Sequence, residues 1–222
     1  LAATKLGIES YLVGVASTGV IGEIMNMEPV VKGVEMLNPN NDLESGMNFA
    51  QAILTTDTVM KNTTYATVID GKEVLVSGTA KGSGMIEPNM ATMLGFITTD
   101  ANIESDELQK ALSEITNLTF NAITVDGDTS TNDTVVVLAN GLAGNEPLTP
   151  AHPEWNNFYT ALRLVAEDLA KAIARDGEGA TKLIEVEVDG AISDEEARKI
   201  AKTVVGSPLV KTAVFGCDAN WG

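Results

Sequence analysis

The sequence predicts a layered α/β fold, and three observations lead there. Two β-prone runs, 65–69 and 73–79, flank Asp70-Gly71, the strongest short signal for a two-residue hairpin turn. Segments of helical period are mixed among such strands, and hairpins outnumber strand-helix-strand units, which favours layers over a doubly wound parallel sheet. No fixed-period repeat and no internal linker interrupts the chain, so residues 1–222 are expected to form a single domain.

Each element has a local reason. The run 11–16 (YLVGVA) reads as a buried strand ending in the loop Ser17-Thr18-Gly19. Val30, Val34 and Leu37, then Leu43, Met47, Ala50, Ile53 and Leu54, recur at helical spacing and predict helices over 29–37 and 42–55. After the hairpin and a glycine-rich stretch, 93–98 returns to a strand pattern. Ser105, followed by Asp106 and Glu107, predicts a capped helix start with acids at the positive dipole end, running to about Leu118. A polar loop over 126–133 leads into Val135–Leu138, a buried strand closed by Asn140-Gly141. The longest helical pattern covers 153–175. Residues 182–188 alternate as a strand would, and Ser193 caps a final acidic-to-basic helix through about Val205.

Composition narrows the function. The 222 residues carry 14 Lys plus Arg against 31 Asp plus Glu, a net charge of −17, and counterion release from phosphates needs the opposite sign. Nucleic acid and anionic membranes are therefore not expected partners. With 44% hydrophobic and 20% charged residues the chain is too apolar for a disordered acidic tail. One cysteine, Cys217, rules out an internal disulfide framework and, with no apolar run of about 20 residues, points to the cytoplasm. A first residue Leu1 and a last residue Gly222 look like cut ends of a longer polypeptide.

Several motifs are set aside. Asp126, Asp128, Ser130 and Asn132 place oxygens at alternate positions as a calcium loop does, but Thr131 stands where the loop needs glycine and Val137 where it needs a bidentate Glu. A hydrogen-bonded turn is the expected reading, and no metal site is expected. Gly82-Ser83-Gly84 lacks the rest of either nucleotide-binding glycine motif. His152, the single histidine, stands beside Pro153 at a helix start, where capping is the simpler role. Conventional Ser-His-Asp and Cys-His machinery would depend wholly on His152.

The densest unusual segment is 81–100, KGSGMIEPNMATMLGFITTD. A turn-rich loop entering a strand accounts for its composition. The pair Ala91-Thr92 permits a sharper reading: a threonine hydroxyl needs a base, and cutting the chain before Thr92 would make its own α-amine that base. Such an amine titrates near about 7.7–8.0, so a useful neutral fraction exists around pH 7.

The segment Lys81 to Leu94 closely resembles the self-cleavage region of the ornithine acetyltransferase family, also called glutamate N-acetyltransferase. Further blocks agree in order along the chain: Ser17-Thr18-Gly19-Val20-Ile21-Gly22, Thr55-Thr56-Asp57-Thr58, 124–134, Gly177-Glu178-Gly179-Ala180-Thr181-Lys182 and Asp218-Ala219-Asn220-Trp221-Gly222. The resemblance implies a domain of αββα layers, two sheets between helices, in the manner of N-terminal nucleophile hydrolases. It also implies self-cleavage between Ala91 and Thr92, two associated chains, and a dimer of such pairs. Thr92 would be the nucleophile in a ping-pong transfer of an acetyl group from N-acetylornithine to glutamate in arginine biosynthesis. Thr18 and Gly19 would stabilise the oxyanion, and Thr58 (with Thr56 the alternative within its block), Lys81, Thr92 and Glu178 would bind substrate. No cofactor is implied, although some members also take acetyl groups from acetyl-CoA. Family precursors extend beyond both ends of this chain, so portions at either end are expected to be missing. An N-terminal nucleophile amidohydrolase or aminopeptidase, in which water resolves the acyl-enzyme, and an inactive acidic binding fragment are the alternatives.

Overall fold

The computed structural model describes residues 1–40, 42–87 and 93–220. The chain makes two units, Leu1–Phe49 and Ala50–Gly222. The first holds helix α1 (Ala2–Leu6), a 3-10 turn at Ser10–Leu12, helix α2 (Met27–Met36) and most of α3 (Leu43–Ala52). Asn26 starts α2, its side-chain oxygen accepting from the Glu28 N–H at 3.1 Å. The strand expected over 11–16 does not form. Ser10–Leu12 turn instead, Val15 is 87% exposed, and the segment is not among the four strands of the described sheet. Apolar content suits a strand, but a ladder needs a partner.

The second unit is built on a sheet. Strands β1 (Lys61–Ile69) and β2 (Lys72–Lys81) form the predicted hairpin, paired from Lys61↔Ala80 to Ile69↔Lys72. Asp70 and Gly71 take φ of 52° and 71°, the two positive values that a type I′ turn requires. Strand β3 (Leu94–Thr99) runs antiparallel to β2, and β4 (Thr134–Ala139) parallel to β3, giving the order β1-β2-β3-β4. Parallel neighbours require a long crossover, which contains α4 (Ser105–Leu118) and the 3-10 turn Phe120–Ala122.

Helix α5 (Trp155–Arg175) crosses β1 and β2. Its stripe of Phe158, Leu162, Val165, Leu169 and Ile173 shares one core with Ile69, Val74, Val76 and Ile97 of the sheet and Ala111 and Ile115 of α4. Contact is closest at Gly78, where an added Cβ would come within 2.8 Å of both Leu169 Cδ1 and Val165 Cγ1. The layered α/β class is therefore the one observed, with a four-stranded sheet and helices α4 and α5 in its core.

Local details differ from the sequence reading in informative ways. Glu104, not Ser105, occupies the cap position of α4, and no side chain caps it; Asp106 and Glu107 do lie in the first turn. Strand β4 is half-buried rather than fully buried. Residues 184–188 alternate in exposure as predicted, Leu183 breaking the pattern, but 182–188 join no ladder among the described residues. Ser193 does cap α6 (Asp194–Gly206), its hydroxyl accepting from Glu196 N–H at 3.2 Å, and Ser207 caps a further helix, α7 (Pro208–Phe215), that the periodicity did not reveal. None of the described helices is long and apolar enough to cross a membrane.

Candidate active site

Thr92 and Ala91, the proposed nucleophile and its neighbour, lie outside the described residues. Thr18 and Gly19 lie in the first unit, in the segment before α2, where Thr18 is exposed and Met25 Cε is 4.0 Å from the position a Gly19 Cβ would take. Thr58, Lys81 and Glu178 all belong to the second unit, and a buried ion network ties their backbones together.

Lys61 is the centre of that network. As the first residue of β1 it points to the α5 side of the sheet, and its side chain is 0% exposed. Its Nζ donates to Asp57 Oδ1 and to Asp176 Oδ2, each at 2.6 Å, and to the Val59 carbonyl at 3.3 Å. Two anions on one ammonium leave a net negative charge, which further donors neutralise in part. Asp57 Oδ1 also accepts the Gly82 N–H at 2.7 Å, and its Oδ2 accepts from Thr55 N–H at 3.2 Å. Asp176 accepts from the Thr58 N–H at 2.9 Å and from the Thr58 hydroxyl. Burial pushes both carboxyls up, but these hydrogen bonds and the Lys61 charge outweigh it and hold Asp57 and Asp176 below the ordinary carboxyl value.

The network reaches the substrate-side residues through the backbone. Ser83 Oγ donates to the Asp176 carbonyl at 2.8 Å, and Glu178 N–H donates to the Ser83 carbonyl at 2.9 Å. Thr58 is committed to Asp176 through both its amide and its hydroxyl, so the structure gives it a structural duty that the sequence reading did not foresee. The exposed Glu178 carboxylate lies directly over Gly84, so close that any Cβ there would collide with Oε2. Lys81 is 4% exposed and donates to Thr55 Oγ1 at 3.1 Å. Burial pushes its ammonium below the ordinary lysine value, with Lys61 adding to that and the Asp57 and Asp133 charges opposing it. A buried cation whose one hydrogen-bond partner among the described residues is neutral is suited to receive a carboxylate.

The loop 124–134 supports the same segment from the other side. Asp126 accepts the N–H groups of Met85 at 2.5 Å and Ile86 at 2.9 Å, and that of Asp128 at 3.1 Å. Its oxygens thus serve a hydrogen-bonded turn, as expected of a loop without the calcium ligand pattern. His152 also takes its expected local part: Nδ1 accepts from Glu154 N–H at 3.1 Å and Nε2 faces Asp70 Oδ1 at 3.3 Å. Asp70, His152 and Glu154 approach closely enough to hold a metal ion, but each already has a partner within this clip, Glu154 Oε2 accepting the Asp70 N–H at 2.6 Å.

Lys61, Asp176, Ser83 and Asp126 are the site's structural residues that sequence reasoning missed. Asp176 follows the last residue of the helical pattern 153–175, and Lys61 precedes the β-prone run 65–69.

The ArgJ family model matches residues 1–222. The arginine biosynthesis bifunctional protein ArgJ of Halalkalibacterium halodurans is 65% identical over 215 residues, covering 97% of this chain and 52% of that protein. Its counterpart from Geobacillus stearothermophilus is 64% identical over 222 residues, 100% of this chain and 54% of that protein. A crystal structure of the Bacillus halodurans protein of the same name is similar with a TM-score of 0.58 and 72% identity, covering 59% of this chain and 62% of that one. The chain spans about half the length of the curated relatives it matches. A match over every residue, in agreement with the sequence blocks that surround Lys81, Thr58 and Glu178, establishes that the chain belongs to the ArgJ family.

Proposed function

We propose that the full-length protein to which this chain belongs cleaves itself between Ala91 and Thr92 and then transfers acetyl groups from N-acetylornithine to glutamate. The observation that carries this reading is the buried Lys61 network, which gathers the backbones of Thr58, Lys81-Gly82-Ser83 and Glu178, the substrate-side residues, beside the segment leading to the cleavage point.

The steps follow from the residue types. The α-amine of Thr92 takes the proton of its own hydroxyl as Oγ attacks the acetyl carbonyl of N-acetylornithine. The tetrahedral intermediate places its negative charge toward the Thr18 hydroxyl and the Gly19 N–H, each such donor being worth roughly 2.7–4 kcal/mol. Collapse expels ornithine, which leaves with the proton, and the acetyl group remains as a threonine ester. The glutamate amine then attacks that ester and regenerates Thr92. Lys81 receives a substrate carboxylate, and Glu178 receives the ornithine ammonium. Thr58 contributes mainly by holding Asp176.

Acetyl-CoA is proposed as a second donor, in keeping with the word bifunctional in the relatives' names. No cofactor takes part, both units belong to one catalytic domain, and the cleaved pairs associate as dimers in the cytoplasm. The deciding experiment incubates full-length protein with N-acetylornithine, with and without glutamate. Acetylglutamate formation is expected; acetate release at full rate without glutamate would instead mark a hydrolase.

A further inference from the structure

A groove of about 1620 Å³ lies in the second unit between residues 121–125, the segment 178–186 and helices α6 and α7. That exceeds the roughly 300–1,000 Å³ of most small-molecule pockets and admits an extended ligand. Its charge is the reverse of the chain's. Six of the 14 basic side chains line it against four of the 31 acidic ones, in a protein of net charge −17. Three of those acids are already matched: Glu185 by Lys171 at 3.2 Å, Glu195 by Lys199 at 2.7 Å and Glu87 by Lys202 at 3.3 Å. The fourth, Glu178, is one of the substrate-side residues, so the groove reaches the candidate active site. Its floor is tied there too, the Val125 N–H donating to the Ile86 carbonyl at 2.6 Å. Among the described residues, Lys182, Arg198 and Lys211 form no ion pair with a carboxylate. Lys182 Nζ donates to the Val214 and Phe215 carbonyls at 2.7 and 3.1 Å, and Lys211 Nζ to the Val125 carbonyl at 3.0 Å. Such neutral acceptors fix each ammonium in place without cancelling its charge.

We propose that this groove binds the coenzyme portion of acetyl-CoA, with Lys182, Arg198 and Lys211 supplying the positive charge that its phosphates require. This rests on the reading of acetyl-CoA as a second acetyl donor. A coenzyme thioester combines a phosphate-bearing end, an aromatic base and an arm with two amides. The groove offers a counterpart for each. Its unmatched cations suit the phosphates, and Phe215, 59% exposed, presents an aromatic face in its wall. The extended segment 182–188, which joins no ladder among the described residues, can pair its main-chain groups with the amides as a strand pairs with a peptide. A polyanion meets a repulsive background over the rest of a protein of this charge, and beyond about 8–10 Å in physiological salt that background is screened. A local reversal of sign therefore decides where such a ligand settles. N-acetylornithine carries no phosphate and has no need of these cations, so the two donors part company at this groove.

The test follows glutamate acetylation by full-length wild type, Arg198→Glu, Arg198→Lys and Lys211→Gln with three donors: acetyl-CoA, S-acetylpantetheine, which keeps the thioester and arm but has no phosphate, and N-acetylornithine. Wild type is expected to favour acetyl-CoA over S-acetylpantetheine by about tenfold or more in kcat/KM, an advantage that shrinks as salt rises from about 50 mM to 0.5 M. Arg198→Glu and Lys211→Gln should each lower kcat/KM for acetyl-CoA, relative to that for N-acetylornithine, by about fivefold or more through KM, while Arg198→Lys keeps most of it. Free CoA should compete with acetyl-CoA where inorganic phosphate at equal concentration does not. Equal use of the two thioesters by wild type, or a donor ratio unmoved in Arg198→Glu, overturns the groove as the coenzyme site and leaves acetyl-CoA as a donor intact. If Lys211→Gln lowers the urea midpoint, the exposed Arg198 variants decide alone. A wild type that acetylates glutamate from N-acetylornithine but neither uses acetyl-CoA nor is inhibited by CoA removes the second donor and the groove together.

Discussion

Replacing Lys61 with Met keeps the length of the side chain and deletes its charge, which isolates what the ammonium contributes. The side chains of Lys61, Asp57 and Asp176 are 0%, 0% and 6% exposed, so water cannot simply take the place of the lost cation. Removing one partner of a buried ion pair costs about 3–5 kcal/mol. Here the orphaned carboxylates keep the Gly82, Thr55 and Thr58 amides and the Thr58 hydroxyl as donors, which places the expected loss at the lower end, about 3 kcal/mol. For a domain of this size that corresponds to a fall in Tm of about 6–12 °C. The assay is urea unfolding of the variant and wild type, read as a change in midpoint at constant slope. Both carboxyls titrate below the ordinary 3.8, so the stabilisation is fully present above that value and is lost as pH falls through the lowered folded values. The gap between variant and wild type should therefore narrow as the pH falls below 3.8 and through the lowered folded values. A triple variant that also carries Asp57→Asn and Asp176→Asn should recover much of the loss, because neutral amides need no counter-charge. A loss under about 1 kcal/mol near pH 7, as expected of an exposed pair, would refute the view that the network is sealed and central.

Other outcomes follow from the same geometry. Thr92→Ala should remain one uncut chain by intact mass with unchanged far-ultraviolet circular dichroism; scission at the same bond would sink the nucleophile assignment. Gly84→Ala puts a methyl group against the Glu178 carboxylate and should raise KM for N-acetylornithine while the unfolding midpoint stays within about 0.5 kcal/mol of wild type, since both residues lie at the surface of the site. Gly78→Ala pushes α5 off β2 at Leu169 and Val165 and should cost about 1–3 kcal/mol in urea unfolding with KM unaffected.

What the sequence disclosed, and what it concealed, divides along the distance between interacting residues. The Asp70-Gly71 turn was legible because the hairpin is written in two adjacent residues, one of them free to take positive φ. The Ser193 cap was legible for the same reason, as were the stripe of α5 and the existence of β3, which runs one residue later than the pattern 93–98. Residues 11–16 and 182–188 carry strand-like patterns but join no ladder among the described residues, and no local pattern reports where a partner strand will be. Ser105 shows the limit of capping rules: one step of register moved the cap to Glu104. At the site, the family motifs pointed to Lys81, Thr58 and Glu178, but the residue joining their backbones is Lys61. Its bond to Asp176 crosses 115 positions, a separation that only the fold can close. Thr58 illustrates the same point in reverse, since a residue marked for substrate proves to be engaged with a carboxylate of its own chain.

The place of β3 between two neighbours has a consequence for the cut protein as an assembly. Scission before Thr92 would assign β2 to one product and β3 to the other, yet six residue pairs from Val76↔Thr99 to Lys81↔Leu94 stitch those strands together in mid-sheet. The core shared by β1, β2 and α5 likewise contains residues from both sides of the break. Parting the two chains would therefore require the sheet to unzip and its core to flood, so the barrier to subunit loss is the barrier to unfolding itself. Such a pair behaves as one cooperative body with an extra chain end: dilution should not separate it, and its two polypeptides should exchange with those of other molecules only as fast as the domain opens.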